Sequence, residues 1–426
     1  MVQLNQQIMG RRENMKLIIK NAKIREREGL VDIEIGDNGK ISSIKDAKAR
    51  EYKDVKIVDA KGFLVTPTFV DPHLHLDKVY TACSGRGSKY ETLEESIEIM
   101  HEIKRNYTVE DVKNRAIKAI RESVKFGCTK IRANVDVDNI GGLIPLKGVL
   151  AAKEETKDIC DIQIVAFPQE GIFRNPGTEK LLYEAMEMGA SVIGGMPAAE
   201  WLEDLSKKHV DLIFEIAKKY DVDIDMHIDQ TKDPGAKSLA YTAWKSIQLG
   251  YEGRVTGGHC VSLAYQNQAY ADKVMELLKL ADFNVCVNPG ILAIMGVDPE
   301  PRTRGITRIR ELVDKGINVA TSQDTICDGF HLYGTGNPLD YGLLLAYEAQ
   351  YNSTGTIEKV MDMITYNSAK VMRLKDYGIK VGARADLNIV PVKTVAEAFR
   401  VRPPIAYVIK DGDIIAKSEY KTEWNQ

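Results

Sequence analysis

No apolar run in the 426 residues approaches the roughly 18 to 20 that a membrane span needs, and the polar start of the chain has no apolar signal-like core. A membrane anchor and a secretory signal are therefore not expected. Positive charge is not in excess either. The 58 Lys and Arg face 61 Asp and Glu, for a net charge of -3, which leaves a nucleic-acid or anionic-membrane partner without electrostatic support. None of the six cysteines (Cys83, Cys128, Cys160, Cys260, Cys286, Cys327) belongs to a C-x-x-C pair. They read as scattered free thiols acting as small hydrophobes, and the expected compartment is the reducing cytoplasm. No glycine-rich phosphate loop follows a strand-like run, which counts against a doubly wound nucleotide-binding sheet. Histidine is scarce, seven in all, so where those seven fall is informative.

What is present is an ordinary globular composition, 44% hydrophobic and 28% charged, long enough for one large barrel and a smaller unit. Residues 1–15 are expected to be a disordered leader. Residues 16–65 alternate short strand patterns with turns such as Gly36-Asp37-Asn38-Gly39-Lys40, and 373–422 do the same around Asp411-Gly412-Asp413. The two ends are expected to make one β-sandwich. Between them, 66–372 alternate strand and helix. Strand patterns fall at 130–135, 161–167, 191–195, 221–227, 254–259, 284–287 and 318–322; together with the run opening at Thr66 they make eight. Helical patterns separate most of them, at Val109 to Phe126, Asp204 to Tyr220, Val261 to Leu280 and Ile306 to Lys315. The fold expected is α/β: a (β/α)8 TIM barrel, whose chemistry sits on the loops after the strands, with the small sandwich beside it in sequence.

Four histidines close strand patterns: His73 and His75 after the first, His227 after the fifth and His259 after the sixth; the eighth ends at Ser322-Gln323-Asp324. In a closed barrel these ends converge on one mouth, so the five residues are expected to meet around one divalent ion. Imidazoles with one carboxylate suit zinc or iron, whereas calcium and magnesium prefer oxygen ligands.

Two runs resemble the metal-dependent amidohydrolase superfamily, and within it the cytosine deaminase branch: Phe69-Val70-Asp71-Pro72-His73-Leu74-His75-Leu76-Asp77 and Ile164-Val165-Ala166-Phe167-Pro168-Gln169-Glu170-Gly171. Asp376-Tyr377-Gly378-Ile379 with Ala385-Asp386-Leu387 adds a weaker match. The resemblance implies that His73, His75, His227 and Asp324 hold the metal, that His259 lies beside the metal-bound water, that Asp324 shuttles the proton, and that Gln169 reads a substrate amide edge. It also implies a family that is often oligomeric, so a homo-oligomer is expected.

The departures from that pattern bear on the substrate. The family's ring-protonating glutamate is Gln230 here, which cannot donate a proton by ionisation. Thr325 stands where the family has an acid after the metal aspartate, Phe330 where it has the pocket tryptophan, and Asn134 where it has a strand-two histidine. These four count against cytosine itself. The Asp77-Lys78 pair resembles the family's N-isopropylammelide hydrolase, which has a histidine where this chain has Asp229. Lys78 could polarise a substrate carbonyl or merely pair with a carboxylate. Asp229, two positions past His227, is expected to face the same side of the strand and take over the missing glutamate's task. The resulting expectation is an aminohydrolase that releases ammonia from a small cyclic amidine or nitrogen heterocycle, cytosine-like or creatinine-like. Two alternatives stand beside it: release of an alkylamine from an N-substituted ring or opening of a cyclic amide, and a catalytically idle barrel that only binds a ligand. Deaminases of nucleic-acid bases are excluded, because their Pro-Cys-x-x-Cys run is absent. His101 and His209 read as surface polar groups, His331 as a mouth-loop residue without a second signal, and Met186, Met188 and Met196 as packing.

Overall fold

The computed structural model describes residues 15–48, 52, 54–82, 93–294, 306–419 and 421–424. Apart from Met15, the expected leader lies outside the described residues, and so does Cys83. The chain divides into two compact units. One takes the described residues up to Thr68, Lys375–Ala398 and those from Pro403 onward; the other takes Phe69–Leu374 and Phe399–Arg402.

The first unit is two four-stranded sheets. β1 (Met15–Ala22), β2 (Val31–Gly36), β3 (Ile41–Asp46) and β4 (Lys56–Asp59) align in the order β3-β2-β1-β4. β5 (Leu64–Pro67) belongs to the second sheet, which is completed by three late strands described below. Alternation drives the packing: Leu17, Ile19, Val31, Ile33 and Ile35 from one sheet and Val65, Leu387, Ile389 and Ile409 from the other share one buried cluster, the core of a small sandwich.

The second unit is a barrel. β6 (Phe69–Leu74), β7 (Cys128–Asp136), β8 (Asp161–Phe167), β9 (Val192–Gly195), β10 (Asp223–Ile228), β11 (Val255–His259), β12 (Asn284–Val287) and β13 (Asn318–Thr321) pair in sequence order, all parallel. The circle closes where the Asp324 N–H donates to the His73 carbonyl at 3.0 Å and the His75 N–H to the Asp324 carbonyl at 2.8 Å. Closure therefore brings the first and last strands' functional residues together through the backbone itself. Returning to the sandwich, β14 (Leu387–Val390), β15 (Tyr407–Lys410) and β16 (Asp413–Lys417) give the order β16-β15-β14-β5. Asp411 and Gly412, both with positive φ (51° and 76°), form the tight turn of the last hairpin.

Helices cover the barrel strands with apolar stripes. Val109–Lys125 starts where the Thr108 side chain accepts the Asp111 N–H, and it buries Val112, Ala116, Ile120 and Val124 at helical spacing. The helix expected over Val261 to Leu280 is two pieces, a short 3-10 turn at Val261–Ala264 and a helix at Gln268–Leu280. Asn267 caps the second by accepting the Tyr270 N–H, which restarts the helix there. Cys128, Cys160, Cys260 and Cys286 are buried free thiols, as expected. Cys327, on the loop after β13, departs from that expectation because it is in a disulfide. Among the described residues no helix is long and apolar enough to cross a membrane.

Candidate metal centre and its pocket

β6 and its last turn present His73 and His75 on alternate positions, β10 presents His227, β11 ends in His259, and Asp324 follows β13. The Nε2 atoms of His73 and His75 lie 3.2 and 3.0 Å from His227 Nε2, and 3.6 and 3.4 Å from Asp324 Oδ1. Metal–nitrogen bonds of about 2.0–2.1 Å in a tetrahedron require ligand atoms roughly 3.3 Å apart, which these separations match. His259 Nε2 faces the other carboxylate oxygen, Oδ2, at 3.9 Å. His73, His227, His259 and Asp324 offer ligand atoms that all lie within 4.8 Å of one another, and His75 joins them through His227.

The donor set fits a divalent cation. Burial, aided by neighbouring positive groups, holds His75, His227 and His259 well below the ordinary imidazole range, so each is neutral with a lone pair to offer. His227 Nε2 has the Nε2 atoms of His73 and His75 at 3.2 and 3.0 Å and carries only one proton or one lone pair for the two of them; a cation resolves that conflict. The groups behind them fix their direction. His73 Nδ1 faces Asp225 Oδ1 at 3.7 Å, and Asp225 is gripped by Arg132 at 2.9 Å. Asp71 accepts the N–H groups of His73 (3.1 Å) and Gln323 (3.4 Å), while burial lifts its own pKa to about 7. Asn288 stands 3.4 Å from the His259 ring. His259 and Asp324 have left-handed backbone (φ 69° and 68°), a conformation costing about 1–3 kcal/mol each and retained mostly at functional sites.

A cavity of about 110 Å³ opens over these groups and is also walled by Lys78, Gln169, Gln230, Thr325 and Phe330. Lys78 is fully buried, donates to Gln169 Oε1 at 2.7 Å and forms an ion pair with Asp136 Oδ1 at 2.8 Å. With its oxygen engaged, Gln169 keeps its amide N–H groups for the cavity. A second space of about 150 Å³ adjoins the first, and Lys78, Gln169, Met196 and Phe330 line both. Its wall includes an ionic cluster in which Lys104, itself buried, meets Asp136 (3.0 Å), Asp138 (2.6 Å) and Glu170 (3.0 Å). Burial pushes Glu170 up, but the His101 hydrogen bond and the Lys104 charge prevail and hold it at about 2.

Several expectations need correcting. Asp229 does not face the metal mouth. β10 ends at Ile228, Asp229 has φ 48°, and its carboxylate turns to accept the N–H groups of Ser238 (3.1 Å) and Leu239 (3.0 Å) at the start of helix Ser238–Leu249. Asn134 is fully buried within β7 and lines neither cavity; its backbone instead meets the His75 ring, and Asp136, at the strand's end, is the residue that reaches the second cavity. His209 is buried with a Glu200 partner at 2.8 Å, so it is not a surface group. His101 is partly exposed and pairs with Glu170 at 2.9 Å. Met196, expected only to pack, lines both cavities. His331 is buried beside the Thr325 carbonyl at 3.4 Å and does not line the metal cavity. Missed from sequence were Asp71 and Asp225, although each stands two residues before a metal-side histidine on a strand and so faces the same way.

Comparison with known proteins agrees with this geometry. The amidohydrolase family model matches residues 85–416. Over 413 residues the chain is 33% identical to N-isopropylammelide isopropyl amidohydrolase of Pseudomonas sp. (strain ADP), covering 96% of this chain and 98% of that one. Pterin deaminase of Rhizobium rhizogenes is 27% identical over 402 residues, 92% and 89% of the two chains. The crystal structure of 5-methylcytosine deaminase from Klebsiella pneumoniae superposes with a TM-score of 0.91 at 33% identity, covering 96% of this chain and all of that one. The chain belongs to the amidohydrolase family. It is a hydrolase acting on carbon–nitrogen bonds other than peptide bonds.

Proposed function

We propose that this chain is a metal-dependent aminohydrolase that removes an exocyclic nitrogen from a small cyclic amidine or nitrogen heterocycle, releasing ammonia. The observation carrying the reading is the convergence of three imidazole Nε2 atoms and Asp324 Oδ1 within 3.0–3.6 Å beneath a ring-sized cavity. His73, His75, His227 and Asp324 would hold one ion, zinc or iron. When bound, such an ion lowers the pKa of its water to about 7 and so supplies a nucleophile at neutral pH. Asp324 Oδ2, on the side of His259, accepts the proton of the attacking water and returns it to the leaving nitrogen. His259 orients the water, and Asn288 orients His259. Gln169 offers amide N–H groups to a carbonyl or ring-nitrogen edge, and Lys78, its charge sustained by Asp136, polarises that edge. Phe330 and Met196 sandwich the ring, and Thr325 and Gln230 close the side where related enzymes carry acids.

Lys78 also favours a second reading, loss of an alkylamine in place of ammonia, because the ammelide hydrolase shares the Asp-Lys pair after its His-x-His. One panel tests both: cytosine, 5-methylcytosine, creatinine and N-isopropylammelide, with ammonia and isopropylamine quantified separately. Ammonia release supports the first reading and isopropylamine the second. Turnover of none of the four would overturn both readings of the substrate, and a purified protein with no stoichiometric metal by elemental analysis would favour the idle ligand-binding barrel. A cytoplasmic homo-oligomer is the assembly we infer from the family, checked by light scattering and cell fractionation.

A further inference from the structure

We propose that the buried Glu200–His209 pair is a positioning device for the substrate pocket, locking together the two loops that carry Gln169 and Met196. The proposal rests on the aminohydrolase reading, since Gln169 and Met196 matter through the substrate they enclose. His209 lies on helix Glu203–Tyr220 with no exposed surface, and its Nε2 is 3.1 Å from the backbone N–H of Met196. A backbone N–H only donates, so Nε2 is the acceptor and the ring proton sits on Nδ1, which donates to Glu200 Oε1 at 2.8 Å. Glu200 in turn accepts from the backbone of the β8 loop: Ile172 (2.7 Å) and Phe173 (3.2 Å) at Oε1, Arg174 (2.9 Å) at Oε2. That loop, which follows β8, carries Gln169. One carboxylate and one imidazole thus span from the residues behind Gln169 to the backbone of Met196, and both of those side chains line both cavities. Gly195 permits the close approach, because a Cβ there would stand 3.1 Å from His209 Nε2 and 2.8 Å from Met226 Sδ, on the strand that carries His227. The pair touches neither the metal ligands nor the cavity, so its effect is through placement.

The test separates placement from general stability. His209→Phe removes both bonds. His209→Gln sets an amide oxygen near the former Nε2, restoring the acceptor for Met196, and His209→Asn restores only the contact to Glu200. Kinetics are measured per metal-loaded site on whichever ring of the panel above the wild type turns over. For His209→Phe, KM is expected to rise about tenfold with kcat changed less than about twofold, and His209→Gln but not His209→Asn should bring KM back to within about threefold. A wild-type KM in the Phe variant, or equal KM values for Gln and Asn, overturns the proposal; if the Phe variant does not fold, the Gln and Asn pair decides. The methyl NMR signal of Met196, assigned with Met196→Leu, gives a readout without substrate. It should move in the Asn variant and return toward the wild-type position in the Gln variant, and an unmoved signal in both overturns the proposal. Wild-type protein inactive on every ring sinks the aminohydrolase reading, while the methyl signal still decides whether His209 places Met196.

Discussion

The two walls of the pocket are built on opposite electrostatic principles. On the metal side, His73, His75, His227 and Asp324 aim acceptors at one point, and among the described residues no protein cation fills it. On the other side, Lys78 and Lys104 meet Asp136, Asp138 and Glu170 in bonds of 2.6–3.0 Å, each ammonium matched by carboxylates. Apart from the partly exposed Glu170 both sets are nearly sealed from water, so an unmatched charge is costly in either place. The difference teaches that the first wall is incomplete without a cation from solution, whereas the second is charge-matched from folding onward and acts on substrate only through the fixed charge of Lys78. Loss of function should therefore follow from breaking the first, and loss of stability from breaking the second.

The sharpest break is at the metal wall. Asp324→Asn removes the proton acceptor and a ligand charge together, and turnover is expected to fall on the order of 10⁴-fold, with metal content by elemental analysis falling alongside. Chelation of the wild type should reproduce the loss, and added zinc or ferrous iron should reverse it. An Asp324→Asn protein with unchanged turnover would remove the basis of the proposed mechanism. The next effect belongs to the opposite wall. Lys104→Met leaves the buried Asp138 without a cation and removes one of two partners from Asp136, which keeps Lys78, and from Glu170, which keeps His101; this is expected to cost about 3 kcal/mol, read as a lowered urea midpoint while the metal content of the folded fraction stays at the wild-type level. Metal loss without destabilisation would invert the contrast.

How much of this was legible depended on whether a residue lay on a regular strand. β8 and β12 coincide with the patterns at 161–167 and 284–287, because buried parallel strands are short apolar runs that also had turn signals at their ends. The histidines followed from strand ends alone. Asp225 and Asp71 were visible by the same alternation but carried no motif to draw attention. The ionic wall was not legible, since Lys104 comes from helix Leu93–Arg105, Asp136 from β7 and Glu170 from a loop, and only the closed barrel brings the two carboxylates to 3.0 Å from Lys104 Nζ. His209 was misread because polarity suggests a surface, while its partner Glu200 lies nine residues earlier in an irregular turn.

Gln230 sharpens the comparison where the walls meet. It lines the metal cavity at the position where cytosine deaminases place a ring-protonating glutamate, and among the described residues no other acid takes that place, because Asp229 turns away. Gln230→Glu should raise turnover of cytosine or 5-methylcytosine roughly tenfold, a modest share of what a positioned general acid contributes, with the gain confined to pH values where the new acid is protonated in the complex. Unchanged turnover on both would mean that Lys78 already supplies what the glutamate would add.

The smallest effect is expected at Asp229, and it tests how strand ends should be read. Extended alternation would turn its carboxylate to the same side as His227, where a general acid or base belongs, but its left-handed backbone (φ 48°) sends it to the first turn of helix Ser238–Leu249. There it acts as a helix cap, and Asp229→Asn, which keeps one acceptor and loses the charge, should cost about 1 kcal/mol of stability with turnover within about twofold of wild type. The pH dependence of the urea midpoint carries a second signature. Burial raises the Asp229 pKa above its unfolded value, so the unfolded chain gives up that proton first; this group's contribution is present below the unfolded pKa and declines as pH climbs through the raised folded one. The Asn variant should lose that part of the decline. A tenfold drop in turnover with metal retained would instead put Asp229 back in the proton path.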